Sequence, residues 1–498
     1  MIFLFLTSGL FLGWSLGAND AANVFGTAVG TRMIRFKTAA LIASVFVIIG
    51  AVIGGSGAAY TLGKLGAVNA IAGSFMVALA SGLTVFLMTR LKVPVSTSQA
   101  IVGGIVGWNF FTSSVTDYDS LTKIVLTWFL CPVLAAIFAI LLFSLLKLIL
   151  NNLHFHMLSS DNYLRIALTI AGAFGAYSLG ANNIANVMGV FVPVTPFEPL
   201  DVYGLFTLSS AQQLFFLGGL AIAVGIFTYS QRVMATVGKN LFRLSPISAL
   251  VVVLSQAIVL FLFSSEQLES WLFQQGLPTI PLVPVSSTQA VVGAIIGIGL
   301  IKGGKGVRYN VLGEIATGWV TTPVISGIIT FVALFFLQNV FNQQVSRKTE
   351  YIITQEVLTS LQTKGINDPD LLKLQGRIYH NSVKLSSTLK RLTSLDNLQI
   401  RETIDASEIS ALFIDPLTLN KKLDRNLFSD AQIEALKRLE GERYRYKWQF
   451  IDALENQTDE WRLKPDSRIN KEYNKSQLNA RQYLINLFQS AELDEEEF

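Results

Sequence analysis

The sequence predicts an all-α membrane protein: two inverted-topology repeats with broken helices or hairpins, followed by a soluble helical C-terminal tail. Three observations lead there. The first is composition: of 498 residues, 51% are hydrophobic and only 14% charged, with a mean hydropathy of +0.49, where a soluble domain carries about 25% charged residues. The second is where the acids lie. Between Met1 and Asn342 they are Asp20, Asp117, Asp119, Asp161, Glu198, Asp201, Glu266, Glu269 and Glu314, whereas from Val345 onward charges recur every few residues. A membrane body therefore gives way to a polar tail near Gln343. The third is a set of motifs that returns in the same order in the second half of the body.

Apolar runs approaching or exceeding the ~20 residues that cross a bilayer occupy Ala39–Gly63, Leu121–Leu150, Leu214–Tyr229, Ile247–Ser264 and Val320–Leu337. A buried helix of a soluble enzyme mimics one such run but not a series. The Lys and Arg of the body sit at the ends of the runs, as membrane-interface anchors do. The net charge of +4 comes without a basic stripe interleaved with aromatics, which argues against nucleic acid as a partner. Cys131 is the single cysteine, so neither a disulfide framework nor a thiolate metal site is expected. His154, His156 and His380 lie outside the apolar runs and read as surface or loop residues. The apolar start, Met1 to Leu16, lacks the positive n-region of a signal peptide, and the motif that ends it recurs deep in the chain.

That recurrence is threefold. Ser15-Leu16-Gly17-Ala18-Asn19-Asp20-Ala21-Ala22-Asn23-Val24 returns as Ser178-Leu179-Gly180-Ala181-Asn182-Asn183-Ile184-Ala185-Asn186-Val187. Pro94-Val95-Ser96-Thr97-Ser98-Gln99-Ala100 returns as Pro284-Val285-Ser286-Ser287-Thr288-Gln289-Ala290, and Trp128-Phe129-Leu130-Cys131-Pro132-Val133 as Trp319-Val320-Thr321-Thr322-Pro323-Val324. The division that follows is a first repeat over 1–150, a linker over 151–162, a second repeat over 163–342 and a tail over 343–498. Loop charge gives the orientation. The loop holding Arg32, Arg35 and Lys37 corresponds to one holding Glu198 and Asp201; the loop with Lys64 corresponds to Arg232, Lys239 and Arg243; Arg90 and Lys92 correspond to Glu266 and Glu269; Asp117 and Asp119 correspond to Lys302, Lys305 and Arg308. The bias alternates within each half and reverses between halves, as inverted-topology repeats would produce. With five crossings in each half the N-terminus lies outside, while the side of the tail stays open.

The motifs carry chemistry. Asn19, Asp20 and Asn23 lie in apolar sequence, where an ionisable residue is a functional candidate; Asn19 and Asn23 share a helix face. Gly17 is expected to let the helix break and free backbone groups, and carboxylate, amide and carbonyl oxygens suit a hard cation such as Na⁺. The plainer reading is a polar network that only locks helices. In the second motif Pro94 and Pro284 fit the first turn of a helix, placing Ser96, Thr97 and Ser98, or Ser286, Ser287 and Thr288, at an N-terminus suited to an anion. Ordinary N-capping is the alternative for one copy; two copies, each followed by Gln99 or Gln289 and glycine-spaced helix, favour function. No Arg or Lys stands in the middle of an apolar run, so a co-bound cation would balance an oxyanion and couple the fluxes. Glycines four apart (Gly9, Gly13 and Gly17; Gly50 and Gly54; Gly103 and Gly107; Gly293 and Gly297) suit close helix packing. Lys302-Gly303-Gly304-Lys305-Gly306 lacks the ending of a nucleotide-binding loop and reads as a basic turn. No catalytic constellation is present, and the chain is not expected to be an enzyme.

Gly17-Ala18-Asn19-Asp20-Ala21-Ala22-Asn23 and Pro94-Val95-Ser96-Thr97-Ser98-Gln99-Ala100, with their second copies, resemble the inorganic phosphate transporter (PiT) family over most of 1–342. The resemblance implies a multi-pass transport domain in the lipid bilayer of the cell membrane, inorganic phosphate as cargo, Na⁺ or H⁺ as coupling ion and a homodimer, with no other cofactor. It implies that Asp20, Asn23, Asn186, Ser96, Thr97, Ser98, Ser286, Ser287 and Thr288 contact the substrate, and that Asn19, Asp20, Asn182, Asn183, Gln99 and Gln289 serve the cation. The chain departs from the family at Asn183, where Asp is common, at Gln99 and Gln289, where His is frequent, and at Val47 and Gln256, where several members carry Glu. Fewer carboxylates weaken cation binding and keep sulfate or another oxyanion as the second cargo. In the tail, Ile352–Leu361, Leu371–Leu392 and Ala431–Ile451 show helical spacing and predict a helical bundle; Glu492–Phe498 forms an acidic end. A membrane phosphate sensor that signals through the tail is the reading from another class, beside a passive channel.

Overall fold

The computed structural model describes residues 2–66, 68–90, 95–152, 157–195, 197, 200–202, 206–231, 234, 245–303, 309–347, 349–421, 423, 427–465, 467 and 470–489. The body is helical because apolar side chains cover segments whose backbone groups must be satisfied internally once lipid replaces water. Its helices are α1 (Ile2–Gly30), α2 (Phe36–Gly54), α3 (Ser56–Leu65), α4 (Ile71–Arg90), α5 (Thr97–Thr112), α6 (Tyr118–Asn152), α7 (Met157–Met188), α8 (Ser210–Thr228), α9 (Pro246–Ser264), α10 (Glu266–Gln274), α11 (Ser287–Ile301) and α12 (Tyr309–Asn339). A short hairpin, β1 (Leu200–Val202) with β2 (Phe206–Leu208), precedes α8. Among the described residues, seven helices are long and apolar enough to cross a bilayer. The run Ala39–Gly63 is not one span: it divides at Gly55 into α2 and α3. Within the stretch 151–162, α6 runs to Asn152 and α7 begins at Met157.

The halves interlock. Helix α1 packs on α4 and α8, and its counterpart α7 packs on α9 and α2; α5 packs on α12 of the other half, and α11 on α6. Glycines permit these crossings. A methyl group added at Gly17 would collide with the carbonyl of Ile222, and one at Gly180 with that of Val47; one at Gly50 would meet Tyr177, and one at Gly225 would meet Trp14. Gly103 sits on the Pro323 carbonyl just as Gly293 sits on that of Pro132. The contacts come in matched pairs, so the repetition of motifs is a repetition of backbone geometry. Helices α1 and α7 run antiparallel, with Gly9 against Met188 and Phe191 at one end and Phe25 against Gly172 at the other. The matching pairs Val47 with Ile222 of α8, not with Gln256, which lies on α9. Gln256, named with Val47 as a place where several family members carry Glu, thus lies one helix later than the counterpart of Val47.

Two expectations about helix breaks are corrected. Helix α1 runs unbroken through Gly17, and α7 through Gly180: each glycine is there for close packing, not for a break. The discontinuities fall instead before α5 and α11. Pro284 lies in extended chain ahead of the N-cap Ser286, not in the first helical turn; Pro94 lies outside the described residues.

The tail is helical but not a bundle. It contains β3 (Tyr351–Ile352), α13 (Gln355–Thr363), β4 (Ile378–Tyr379), α14 (Ser382–Leu392), α15 (Asn397–Ser407), β5 (Ile409–Phe413), α16 (Pro416–Lys421), α17 (Asp430–Arg438), β6 (Arg443–Tyr446), α18 (Lys447–Gln457) and α19 (Lys471–Phe488). Strands β3 and β4 pair antiparallel, as do β5 and β6. Short strands interrupt the spans read as continuous helix: β4 falls within Leu371–Leu392 and β6 within Ala431–Ile451. One core gathers Ile353, Val357, Leu361, Leu385, Leu389 and Tyr446, and a second gathers Leu412, Leu436, Phe450, Leu454, Trp461 and Leu484. His380 is exposed and pairs with Glu350 at 2.9 Å; His154 and His156 lie outside the described residues.

The tail docks on the body where α5 ends. Val345 is buried in the body core, and the Trp108 indole donates to its carbonyl at 3.0 Å. Asn69 accepts from the Arg347 backbone at 2.9 Å, and Ser382 Oγ accepts from the Val115 backbone at 3.1 Å. Arg401 forks onto both carboxylate oxygens of Asp117 at 2.8 and 3.2 Å, a bidentate geometry. Burial pushes the Asp117 carboxyl up, and hydrogen bonds from Ser120 and Arg401 outweigh it, leaving the group below its usual range. A lowered carboxyl pKa means that the pairing persists above pH ~4 and weakens only as pH falls through the depressed value.

Two outcomes are expected. Arg401→Glu sets like charge against Asp117, so trypsin should cut at Arg347 about tenfold faster, and adding Asp117→Arg should restore protection. Gly293→Val should cost about 1–3 kcal/mol by overpacking α11 against α6, read as a lowered Tm in detergent, while Gly63→Ala, with nothing within 4 Å of the added carbon, should leave Tm near that of the parent.

Candidate transport site

Helices α5 and α11 begin inside the body after extended segments, and their first turns face the first-motif helix of the opposite half. Ser96 caps α5 by accepting from the Gln99 backbone at 3.3 Å, and Ser286 caps α11 by accepting from Gln289 at 3.3 Å. Of the six motif hydroxyls, these two perform ordinary capping. Ser98, Ser287 and Thr288 reach across. Ser287 donates to Asp20 Oδ2 at 2.8 Å, and Asn23 Nδ2 donates to Ser287 at 3.2 Å and Thr288 at 3.4 Å. On the other side Asn186 Nδ2 donates to Ser98 at 2.8 Å. Ser98 donates to the Val285 carbonyl at 3.1 Å, and Thr288 to that of Val95 at 3.4 Å. The motifs lie far apart in sequence, yet the fold brings them to one place at the interface of the halves.

Asn19 donates to Asp20 Oδ1 at 3.0 Å. Asn183 Oδ1 accepts from Asn182 at 3.2 Å and from Asn186 at 3.1 Å. Asp20 is only 3% exposed and is the one acid in the buried core of the described residues. It is met by neutral donors alone among the hydrogen bonds described here. Several buried polar atoms of the site have no partner: Thr97 Oγ1, Gln99 Oε1, Asn183 Nδ2, Asn186 Oδ1 and both amide atoms of Gln289. A buried polar group without a partner costs free energy, so these atoms are candidates for contact with a ligand or with water. Among the described residues no group of three His, Cys, Asp or Glu could hold a metal ion.

The structure adds residues that the motifs did not single out. Both amide atoms of Gln256 on α9 are buried and unpartnered, as are the indole nitrogens of Trp128 and Trp319. The two tryptophans open the two copies of the third motif, which was the available signal. A cleft beside Asn19 is lined by Trp14, Ser15, Ala18, Phe86, Thr89, Arg90 and Tyr229, and the Arg90 guanidinium lies 5.3 Å from the centre of the Phe86 ring.

A helical body with apolar spans, two interlocked halves and a polar site buried at their interface defines a multi-pass membrane transporter. The chain belongs to the phosphate transporter family, whose model matches residues 16–162, 151–330 and 270–478. It is a transporter of phosphate and not an enzyme. It is 28% identical over 403 residues to a protein of Pyrococcus horikoshii described as a phosphate permease, covering 66% of this chain and 95% of that one. A Pyrococcus furiosus protein of the same description is 30% identical over 411 residues, with 66% and 95% covered. One from Haemophilus influenzae is 27% identical over 429 residues, with 69% and 98% covered. Among solved structures, a sodium-dependent phosphate transporter superposes with a TM-score of 0.54 at 25% identity, covering 68% of this chain and 99% of that one.

Proposed function

We propose that this chain moves inorganic phosphate by symport with Na⁺, through a site shared by two inverted repeats. The observation that carries the reading is Asp20: a carboxylate buried between the halves, bonded to Ser287 of the opposite half. Phosphate is itself an anion, and the motifs around Asp20 supply only neutral side chains. A bound cation next to the carboxylate removes the repulsion and makes binding of each ion depend on the other. Asp20, Asn19, Asn182, Asn183, Gln99 and Gln289 offer the hard oxygen donors that suit Na⁺. The first turns of α5 and α11, with Thr97, Ser98, Ser287 and Thr288 and their helix N–H groups, suit the tetrahedral anion. Ser96 and Ser286 position these turns. The antiparallel packing of α1 against α7 and the reversed loop charges support inverted topology. The sodium dependence named for the structural neighbour favours Na⁺ over H⁺ as partner.

Labelled phosphate uptake into proteoliposomes, with and without a Na⁺ gradient and with excess sulfate as competitor, tests the reading. Na⁺-driven uptake that sulfate leaves intact is the expected result. Uptake erased by sulfate, or driven only by a pH gradient, would replace the cargo or the coupling ion. Asp20→Asn should lower Na⁺-driven uptake by at least about tenfold, whereas Asn183→Asp should steepen the Na⁺ response by adding a second carboxylate; unchanged Na⁺ curves in both variants would remove these positions from the cation site. Truncation after Gln344 should leave uptake in place, and complete loss would favour a body that depends on its tail.

A further inference from the structure

Two halves of matched sequence and packing should treat the site alike, so a difference between them reports a state of the molecule. Asn19 and Asn182 hold the same place in the two first motifs, and both copies keep Asn there although the next residue differs, Asp20 against Asn183. Each donates to that next residue. Beyond this they part. Asn182 closes a two-point bond on the extended segment before α11: its Nδ2 donates to the Val285 carbonyl at 2.7 Å, and its Oδ1 accepts from the Val285 N–H at 3.0 Å. It is 0% exposed, and the neighbouring end of α2 is shut down on it, since a methyl group at Gly54 would stand 2.8 Å from Ala181 Cβ. Among the described residues Asn19 makes no bond to Val95, the counterpart of Val285. It is partly exposed and lines the cleft walled by Trp14, Arg90 and Tyr229.

The cleft lies away from the tail, whereas Leu282, on the segment that Asn182 holds, accepts from Thr61 of α3, whose last residue Leu65 accepts from Asn109 near the tail contact. Arg90 closes the C-terminal end of α4, whereas near the other end of α4 Gly73 packs against the Val345 carbonyl and Asn69 bonds Arg347. A cleft therefore reaches Asn19 from the side away from the tail, while Asn182 on the other side is fully buried.

We infer that Asn19 and Asn182 are a pair of alternating gates, each able to clamp the backbone of the hairpin segment at Val95 or Val285, with only one clamp closed at a time. This rests on the reading of the interface as the transport site. A primary amide suits the task, because it carries one donor end and one acceptor end that match a backbone C=O and N–H together. In the state described, Asn182 grips Val285 and seals the tail side. When the halves exchange conformations, Asn19 takes up the same two bonds on Val95, Asn182 lets go, and the site opens toward the tail. Asn19 and Asn182 are thus positioning residues for access as well as neighbours of the ions.

Thiol labelling tests this without transport. In a Cys131→Thr background, which matches Thr322 of the second half, Ser15→Cys and Ser178→Cys place equivalent reporters beside the open and the closed gate. Purified protein in proteoliposomes is treated with a small charged methanethiosulfonate on both faces. The Ser15→Cys protein should react faster than the Ser178→Cys protein by about tenfold or more, and adding Asn182→Ala should raise the Ser178→Cys rate by about tenfold through loss of two hydrogen bonds. Adding Asn19→Ala should not. Equal rates in the two parents, or a Ser178→Cys rate that Asn182→Ala leaves unchanged in protein of parental Tm, overturns the clamp. Should Asn182→Ala fail to fold, Asn182→Asp keeps the size, removes the donor to the Val285 carbonyl and is held to the same criteria. The labelling uses no phosphate, so a gate that responds as expected in a protein without phosphate uptake would sink the transport assignment and leave the clamp standing, and the reverse result would do the opposite.

Discussion

A buried carboxylate with only neutral partners is the constraint around which the body is arranged. Asp20 lies where water does not solvate it, and its described hydrogen bonds come from Asn19 in its own half and Ser287 in the other. Such a group is tolerated only where the surrounding fold fixes donors around it. That requirement ties α1 to the first turn of α11 and, by the repetition of the design, α7 to the first turn of α5. The glycine contacts then follow: helices can converge on one small polar site only if their backbones touch, which is what Gly17, Gly180, Gly103 and Gly293 allow.

Duplication followed by interlocking gives this arrangement a property that neither half has alone. Each hairpin is completed by the motif helix of the other half, so the site cannot form within one repeat. Substituting Asn183 for the acid of the first copy removes one charge from a membrane body in which, among the described residues, no base is buried. The asymmetry leaves a single buried carboxylate among the described residues, with Asn182 bonded to Val285 and Asn19 not bonded to Val95.

The tail sits close to this machinery without entering it. Its contacts fall on Val115 and Asp117, just beyond the end of α5, and on the Trp108 indole within that helix. The helix that presents Thr97 and Ser98 to the site at one end is therefore held by the tail at the other. Partial burial of the Asp117 carboxylate makes the fork from Arg401 more than a solvated surface pair.

Much of this was legible in the sequence. Hydropathy marked the spans, because a bilayer demands long apolar segments, and repetition marked the site, because chance does not return three motifs in order. The acid Asp20 and the hydroxyls of the second motif were named from their chemistry alone. Tertiary structure decided what local pattern could not. Gly17 read as a breaker, since glycine weakens a helix in isolation, but the carbonyl of Ile222 lying against it shows that its missing side chain matters for packing. Ser96 and Ser286 read as ligands, and the fold shows them capping α5 and α11, because an N-cap is defined by where a helix starts, which depends on the residues ahead of it. Val47 and Gln256 were named together as places where the family carries Glu, but the crossings match Val47 with Ile222. The strands of the tail escaped notice because pairs as short as Tyr351–Ile352 carry no period of their own. The sequence by itself determined which residues carry charge and polarity into the membrane. Only the fold decided which of them meet, since those meetings join residues far apart in the chain, from the 88 positions between Ser98 and Asn186 to the 267 between Asp20 and Ser287, and are set by the packing of whole helices rather than by neighbours in the chain.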